Sequence, residues 1–318
     1  MRNRSMRLLA FVFACSLLGA PFCAASAAVP APGGRNDYAN AAFLARVNSG
    51  LTHFYARDFH AAQDDFSRAL AIIPDNTFAI SFLNAAAAQQ PGALDSLVNG
   101  EEDAIVGAPK NYVNHVRLGF SYLFESNEGR DRSEDARDEL NAAVVLDESK
   151  PAAHVGLGIM RFDEQSANRA KSEFLAALSG DPNNVLAREY LGQLYQSDLR
   201  DPQRGLAYMI DVPNLVPQYA DILYHIGSLL ADLQQPDAAI KYLQEGIALD
   251  TGHVGEAGQH GYVLIGQVYL SEHKVDEAKR ALQLAVDNDA DAIIARTLLN
   301  KIASGAYDQA QKDTAAKS

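Results

Sequence analysis

The carboxylates of Asp163 and Glu189 are side chains whose chemistry could support catalysis. A pair of carboxyl groups that face each other across a cleft, about 5–9.5 Å apart, can hydrolyse a glycosidic bond. If both groups lined one groove, the chain would be an all-helical enzyme acting on a cell-wall glycan. Helical spacing alone does not bring them together, so this function is the alternative to the one derived below.

Among the motifs of the sequence, the three glycines Gly252, Gly255 and Gly258 are the most similar to a phosphate-binding loop. Their spacing differs from that of phosphate loops, no Lys-Ser/Thr pair follows them, and no strand pattern precedes them. We interpret them as a five-residue loop insertion between two helical units. His253 and His260 flank this loop, but a zinc site needs more ligands and the sequence offers no third one. We therefore predict no metal and no other cofactor.

The polar segment 287–291 resembles the first half of a calcium-binding loop. Ala292 stands where such a loop has its turn glycine, and Leu298 stands where it has its closing glutamate. We interpret the segment as a polar turn in which Asp289 or Asp291 caps the following helix.

Paired helices are the elements that must position these side chains. Within Pro151–Asn184 the apolar periodicity predicts one helix over Ala152–Phe162 and a second over Ala167–Leu178, joined by a polar turn. Gly158 lies inside the first helix, where a glycine costs about 0.5–1 kcal/mol relative to alanine. A glycine there indicates a close approach of two backbones, and Phe174 would fill the space beside them.

This unit resembles a tetratricopeptide repeat, a helix–turn–helix of about 34 residues. The residues that carry the resemblance are Leu157, Gly158, Ala170, Phe174, Ala177 and Pro182. The same pattern recurs with its glycine at Gly50, Gly119, Gly192, Gly227 and Gly266, and a degenerate copy contains Ala85. The units begin at Phe43, Phe78, Tyr112, Pro151, Val185, Ala220 and Gln259, in steps of 35, 34, 39, 34, 35 and 39 residues.

The resemblance implies an all-α fold, a right-handed superhelical solenoid of about seven helix-turn-helix repeats over residues 41–303. Each repeat in such a stack buries its face on its neighbours, so the chain need not divide into several domains. A C-terminal capping helix is expected over Asp291–Ala303, followed by a polar tail over 304–318. The side chains expected to cover the last repeat are Ile293, Ile294, Leu298 and Ile302.

Residues 1–27 have the form of a secretory signal peptide. Three arginines within the first seven residues precede an apolar run that is too short to span a bilayer, and Ala25-Ser26-Ala27 offers a cleavage site. Cys15 and Cys23 both lie in this segment, so the exported chain would have no cysteine. Pro21-Phe22 precedes Cys23, which argues against a lipid anchor. We expect export to the bacterial periplasm, with a flexible Pro/Gly-rich leader over residues 28–40.

The charge of the chain restricts its partners. The formal net charge is −13, and removal of residues 1–27, which hold three arginines and no acid, makes it −16. Such a surface repels nucleic acid and anionic lipid headgroups. We predict a protein or peptide partner with an apolar or basic segment, no nucleic acid, and no integral membrane segment in the exported chain.

The resemblance also implies that the first helix of each repeat lines a concave groove. On that face the first four repeats are apolar and the later ones are polar. The predicted partner-binding residues are Phe54, Phe82, Val116, Phe120, Val155, Ile159, Phe162 and Tyr224. Such an apolar face must be covered. A partner segment, the leader Val29–Asn40, tight superhelical curvature or self-association could each cover it, and we favour the partner.

The sequence therefore predicts an exported scaffold or adaptor that binds a partner protein through its concave groove, and not an enzyme. The resemblance suggests a role in cell-envelope assembly or secretion. The alternatives are the glycan-cleaving enzyme described above and a homo-oligomeric structural element.

Overall fold

The computed structural model describes residues 35–127, 129–288 and 292–305. The predicted signal peptide, leader residues 28–34, the proposed caps Asp289 and Asp291, and the tail from residue 306 lie outside the described residues.

The described residues form helices and turns and contain no strand, which confirms the predicted all-α fold. A 3-10 turn over Asp37–Ala39 precedes the first α-helix. The α-helices are α1 (Ala41–Tyr55), α2 (Phe59–Ile72), α3 (Thr77–Ala88), α4 (Ala93–Gly107), α5 (Tyr112–Asn127), α6 (Ser133–Leu146), α7 (Pro151–Asp163), α8 (Ala167–Gly180), α9 (Val185–Ser197), α10 (Pro202–Met209), α11 (Val212–Leu215), α12 (Ala220–Asp232), α13 (Pro236–Leu249), α14 (Glu256–Ser271), α15 (Val275–Asn288) and α16 (Ile293–Ala303).

Consecutive helices pack as antiparallel pairs that stack into a solenoid. Units 1 to 4 are α1–α2, α3–α4, α5–α6 and α7–α8. Unit 5 is α9–α10 with the short α11, unit 6 is α12–α13, and unit 7 is α14–α15. The two helices predicted for unit 4 lie within two residues of their observed bounds. The last unit begins earlier than predicted, because α14 starts at Glu256 and absorbs part of the glycine-containing segment.

Each predicted glycine lies where the second helix of its own unit presses a large side chain against the first. A Cβ atom added at Gly158 would lie only 2.5 Å from the ring of Phe174, and such an approach is too close for any side chain. The equivalent pairs are Gly50–Phe66, Gly119–Leu140, Gly192–Met209, Gly227–Leu243 and Gly266–Leu282. The predicted close approach within each hairpin is confirmed.

The interior of unit 2 is polar at a position where the interiors of the other units are apolar. It has Ala85 at the glycine position and Glu101 where the other units have a large apolar side chain. Glu101 is buried, and Ser121 Oγ donates to its Oε2 at 2.5 Å and lies 2.8 Å from Asn84 Oδ1. Burial raises the pKa of Glu101. A buried polar set thus joins units 2 and 3 in place of apolar packing.

The capping helix α16 covers the last unit through two of the four predicted side chains, Leu298 and Ile302, together with two others. Ala295 is buried against α15, and Leu298, Leu299 and Ile302 pack beside it. Ile293 and Ile294 remain 73% and 39% exposed, so their predicted role is wrong. The physical reason is helical periodicity: Ala295, Leu299 and Ile302 recur every three or four residues on one face, and the two isoleucines flank it.

The stack curls until its first units touch units 5 and 6. Tyr55 at the end of α1 donates a hydrogen bond from its hydroxyl to Asp221 Oδ2 of α12 at 3.2 Å. Asn184 Nδ2 donates to Thr77 Oγ1 at the start of α3 at 3.2 Å. The rings of Phe82 and Tyr219 meet edge to face, with centroids 5.6 Å apart. First helices therefore face one another across the inside of a closed turn of the solenoid.

Residues 35–40, the end of the predicted leader, pack against this closure. The guanidinium of Arg35 binds the carboxylates of Asp37 and Asp75, at 2.7 and 2.6 Å. Asn183 Nδ2 donates to the carbonyl of Arg35 at 3.2 Å, and Tyr38 is buried. This segment connects the start of unit 1 to the turn before unit 5. Across the described part of the chain, no helix combines the length and apolarity that a membrane crossing requires.

Candidate protein-binding face

The predicted partner-binding residues divide into two groups by exposure. Five of them are buried by the chain itself: Phe54, Phe82, Val116, Phe120 and Val155. Three are half-buried and remain accessible to solvent: Ile159, Phe162 and Tyr224. Partner contact through the three accessible side chains stays a prediction, and the other five belong to the continuous core of the solenoid.

Aromatic rings of the closure cover the apolar face of units 1 and 2. The ring of Phe82, 8% exposed, has Phe78 at 4.8 Å, Phe54 at 5.2 Å and Tyr219 at 5.6 Å between centroids. Tyr219 comes from the turn before α12, far along the chain. In this structure, the apolar face of units 1 and 2 is therefore covered by other parts of the chain, through the tight curvature of the superhelix.

A small residue lets the face of unit 3 pack equally closely. Phe120 of α5 is almost completely buried, and its ring lies against the backbone of α7 at Gly156. A Cβ atom at Gly156 would be 3.2 Å from Phe120 Cε2 and still closer to Leu140. Gly156 therefore admits two side chains of unit 3 to the surface of unit 4, and the sequence pattern alone did not single it out.

The accessible side chains form a row along consecutive first helices, which we call the open aromatic face: Ile159 and Phe162 of α7, Tyr190 of α9, Tyr224 of α12 and His260 of α14. Phe162 meets Tyr190 edge to face with centroids 5.4 Å apart, and Tyr224 lies 6.4 Å from His260. Each member is half-buried. Sequence reasoning missed Tyr190, because it sits two residues before the repeat glycine, off the register used for the groove.

A charged set lies beside this face, which we call the acid–histidine cluster: the buried Glu189 and His225 and the half-buried Asp221 and Glu256. His225 Nε2 lies 3.3 Å from Glu189 Oε1 and 3.7 Å from Glu256 Oε2. Burial alone would lower the pKa of His225, but the carboxylates of Glu256 and Glu189 raise it to about 9. Burial and the neighbouring Glu256 raise the pKa of Asp221 to about 7. The carboxylates of the cluster therefore favour the protonated form of His225.

The two carboxylates considered for glycan cleavage have separate environments. Glu189 is buried, accepts a hydrogen bond from the Tyr219 hydroxyl at 2.7 Å and pairs with His225. Asp163 is exposed at the C-terminal end of α7. Both carboxylate oxygens of Glu189 thus have partners within the protein. This arrangement does not support a catalytic pair of Glu189 and Asp163.

Three further histidines have structural partners as well. The His115 ring bridges Glu139 Oε2 at 2.6 Å and the carbonyl of Pro109 at 3.0 Å. His154 has the equivalent contacts, with Glu173 at 2.8 Å. His253 Nδ1 lies 3.1 Å from the carbonyl of Gly258. Over the part of the chain that the structure describes, no group of three or more His, Cys, Asp or Glu residues could hold a metal ion.

The stacked hairpins, the glycine–side-chain pairs and the row of first helices together define the class of the protein. Residues 220–253, which correspond to unit 6 and the turn after it, match the family model of the tetratricopeptide repeat. The chain is a tetratricopeptide-repeat protein, and the predicted family is confirmed.

Three known proteins show how far the likeness extends. The type IV pilus assembly protein PilF of Pseudomonas aeruginosa is 23% identical over 137 residues, which are 43% of this chain and 52% of PilF. The chain thus aligns with about half the length of this curated relative.

Among solved structures, YrrB, described as a TPR protein with an unusual peptide-binding site, aligns with a TM-score of 0.50 and 22% identity over 63% of this chain and 97% of its own. The human IFIT1 dimer aligns with a TM-score of 0.52 and 13% identity over 73% and 55%. Both structural likenesses concern the fold.

Proposed function

We propose that this protein is an exported scaffold that binds a segment of a partner protein on its open aromatic face. The observation that carries the proposal is a row of half-buried side chains, Ile159, Phe162, Tyr190 and Tyr224, on three consecutive first helices. Binding hot spots are enriched in tyrosine and other large side chains that become desolvated in the complex.

The charges around the face favour a partner segment that combines apolar and basic residues. Asp163 follows Phe162 directly, Asp232 ends α12, and Glu256 begins α14. Burial raises the pKa of Asp232, whose carboxylate has the amide of Gln196 as its neighbour at 2.6 Å. A lysine or arginine of the partner would supply the missing positive charge, and the net charge of −13 would attract it over a longer range.

The comparisons support the biological setting of this proposal. The pilus assembly protein PilF is a relative over part of the chain, and YrrB carries a peptide-binding site on the same fold. Together with the predicted signal peptide, they favour a role in assembling a cell-envelope structure of a bacterium. In such a role the solenoid would hold a partner segment while the assembly forms.

The test replaces two members of the face with small polar residues. The double variant Phe162→Ser/Tyr224→Ser removes two anchors, and loss of an anchor commonly costs more than 1–2 kcal/mol of binding. We expect the affinity for the partner isolated with the wild-type protein to fall about tenfold or more. The matched control is Val145→Ser/Leu175→Ser, which changes two exposed side chains on second helices, 87% and 41% exposed.

Isothermal titration of the purified pair measures the effect, and circular dichroism verifies that both variants stay helical. Equal affinity of the wild type and the Phe162/Tyr224 variant, with unchanged helicity, would contradict the proposed face. A loss of affinity in the Val145/Leu175 control instead would move the binding surface to the second helices.

A further inference from the structure

The loop between units 6 and 7 has a shape that one buried carboxylate fixes. Asp250 is fully buried, and its carboxylate accepts three backbone hydrogen bonds at 2.9 Å, from Val254, Gly255 and Gly258. Three donors on a single carboxylate hold residues 250–258 in a compact turn. This turn contains the glycines that the sequence analysis assigned to a loop insertion, and the proposed binding function does not use them.

The same loop binds the end of the first helix of the solenoid. The backbone N–H of Gly252 donates to the carbonyl of Tyr55 at 2.6 Å, and Arg57 Nε donates to the carbonyl of Gly252 at 2.8 Å. Thr251 Oγ1 lies 3.4 Å from the same Tyr55 carbonyl. These reciprocal contacts join residues almost 200 positions apart, so they close the superhelix between unit 1 and the loop after unit 6.

The closure depends on glycine at its point of contact. A Cβ atom at Gly252 would lie 2.6 Å from the Tyr55 carbonyl oxygen, which belongs to a helix backbone and cannot turn aside. A Cβ atom at Gly255 would collide with the carboxylate of Asp221, the group that accepts from the Tyr55 hydroxyl. By contrast, Gly100 in α4 has open space around it. Gly252 thus fits against the surface of unit 1, and Gly255 leaves room for the Asp221 carboxylate that binds Tyr55.

Behind these polar contacts lies the aromatic face of units 1 and 2. Phe78 and Phe82 contact Tyr219, whose hydroxyl is held by Glu189. Tyr219 thus covers one side of both rings. The contacts between residues 250–258 and α1 hold units 1 and 2 against it, together with the Tyr55–Asp221 and Asn184–Thr77 hydrogen bonds.

We propose that residues 250–258, together with Tyr55 and Arg57, form an intramolecular clasp that keeps the solenoid closed and covers the aromatic face of Phe54, Phe78 and Phe82. Its biological role rests on the proposed function: release of the clasp extends the open aromatic face with the aromatic side chains of units 1 and 2. The clasp regulates how much binding surface the protein presents.

The test measures the distance between unit 1 and unit 6 in the full chain. Cys15 and Cys23 are replaced by serine, and spin labels are attached to Arg68→Cys on α2 and Lys241→Cys on α13, two exposed positions. Double electron–electron resonance then compares the background protein with Gly252→Ala and with the matched control Gly100→Ala. Hydrogen exchange of α3 provides a second readout, because opening the clasp exposes this helix.

We expect a single narrow distance distribution in the background protein and in Gly100→Ala. Gly252→Ala should give a longer and broader distribution, and the amides of α3 should exchange at least tenfold faster. A Gly252→Ala distribution that coincides with the background would overturn the clasp. A background distribution that is already broad would overturn it too, since the closed state would then not be held.

A milder variant covers the case in which Gly252→Ala does not fold. Arg57→Ala removes one exposed donor to the loop and leaves the backbone of both partners unchanged, so we expect a smaller shift in the same direction. An unchanged distance in Arg57→Ala, combined with loss of helicity in Gly252→Ala, would reject the clasp. Neither readout uses a partner protein, so failure of the clasp is distinguishable from failure of the proposed binding face.

Discussion

At the scale of single residues, the pair of a glycine and a large side chain determines the packing of each hairpin. The ring of Phe174 is rigid and fills the space above Gly158, whereas Met209 at Gly192 is flexible and can move. A methyl group added at the glycine should therefore change the stability of the protein by different amounts in different units. At an exposed position inside a helix, the same methyl group should increase the stability.

We predict that Gly158→Ala destabilises the protein by about 1–3 kcal/mol, the usual range for overpacking a core. Gly192→Ala should cost less, because Met209 can adopt another rotamer. Gly100→Ala, which has no atom within 4 Å of the new methyl group, should be neutral or stabilising by up to about 1 kcal/mol. Urea denaturation followed by circular dichroism measures all three, and equal effects at the three sites would contradict this packing.

A second recurring pair joins the helices of three units. A basic residue four positions before the repeat position Gly50, Gly119 or Gly158 binds an acidic residue one position before the large side chain of the second helix. The pairs are Arg46–Asp65, His115–Glu139 and His154–Glu173. The hydrogen bond that His154 donates to the carboxylate of Glu173 raises the pKa of His154. Each of these two histidines thus has an acidic partner on the second helix of its own unit.

At the scale of elements, the acid–histidine cluster joins α9, α12 and α14 and makes the stability depend on pH. Asp221 and His225 both have a folded-state pKa above their ordinary value, to about 7 and about 9. Each favours its protonated form in the folded protein. The contribution of each group to the free energy of unfolding is fully present at pH values below its ordinary pKa. That contribution is lost as the pH rises through the raised pKa.

We therefore predict that the melting temperature falls as the pH rises from 5 to 9, with Asp221 acting mainly below pH 7 and His225 above it. Asp221→Asn should remove the lower part of this slope, on the order of 2–4 °C if about 1 kcal/mol is involved. The control is Asp138→Asn, at an exposed position of α6. Differential scanning calorimetry provides the measurement, and parallel slopes for the wild type and Asp221→Asn would contradict the prediction.

The hairpins could be predicted from the sequence because their determinants are local. Gly158 and Phe174 are sixteen positions apart, and the same spacing returns in Gly50 and Phe66. The polar interior of unit 2 was harder to predict, because Glu101 at the position of a large apolar side chain gives no apolar signal. Only the partners Ser121 and Asn84, from two other helices, explain why a glutamate is tolerated there.

At the scale of the whole molecule, the closed turn decides which predicted groove residues remain available. Phe82 and Tyr219 are more than 130 positions apart, and their contact depends on the small angles between successive units added together. The periodicity of the sequence does not predict the total of these angles. For this reason the sequence predicted an apolar groove along units 1 to 4, whereas the accessible row lies on α7, α9, α12 and α14.

The closed turn also separates two surfaces with different roles. The inside of units 1 and 2 stabilises the closure through aromatic contacts, whereas the open aromatic face of the later units remains accessible to solvent and is our proposed binding surface. The outer surface consists of second helices with scattered apolar side chains such as Val106 and Val145. Single exposed apolar residues of this kind are common on soluble proteins and need no partner.

Site-specific photo-crosslinking in the native host tests the central claim most directly. A photoreactive phenylalanine analogue is placed at Phe162 or Tyr224 on the open aromatic face, and at Val145 on α6 as the reference. We predict one defined partner adduct from both positions on the face and none from position 145. Adducts of equal yield from all three positions, or from position 145 alone, would contradict a partner bound on the open aromatic face.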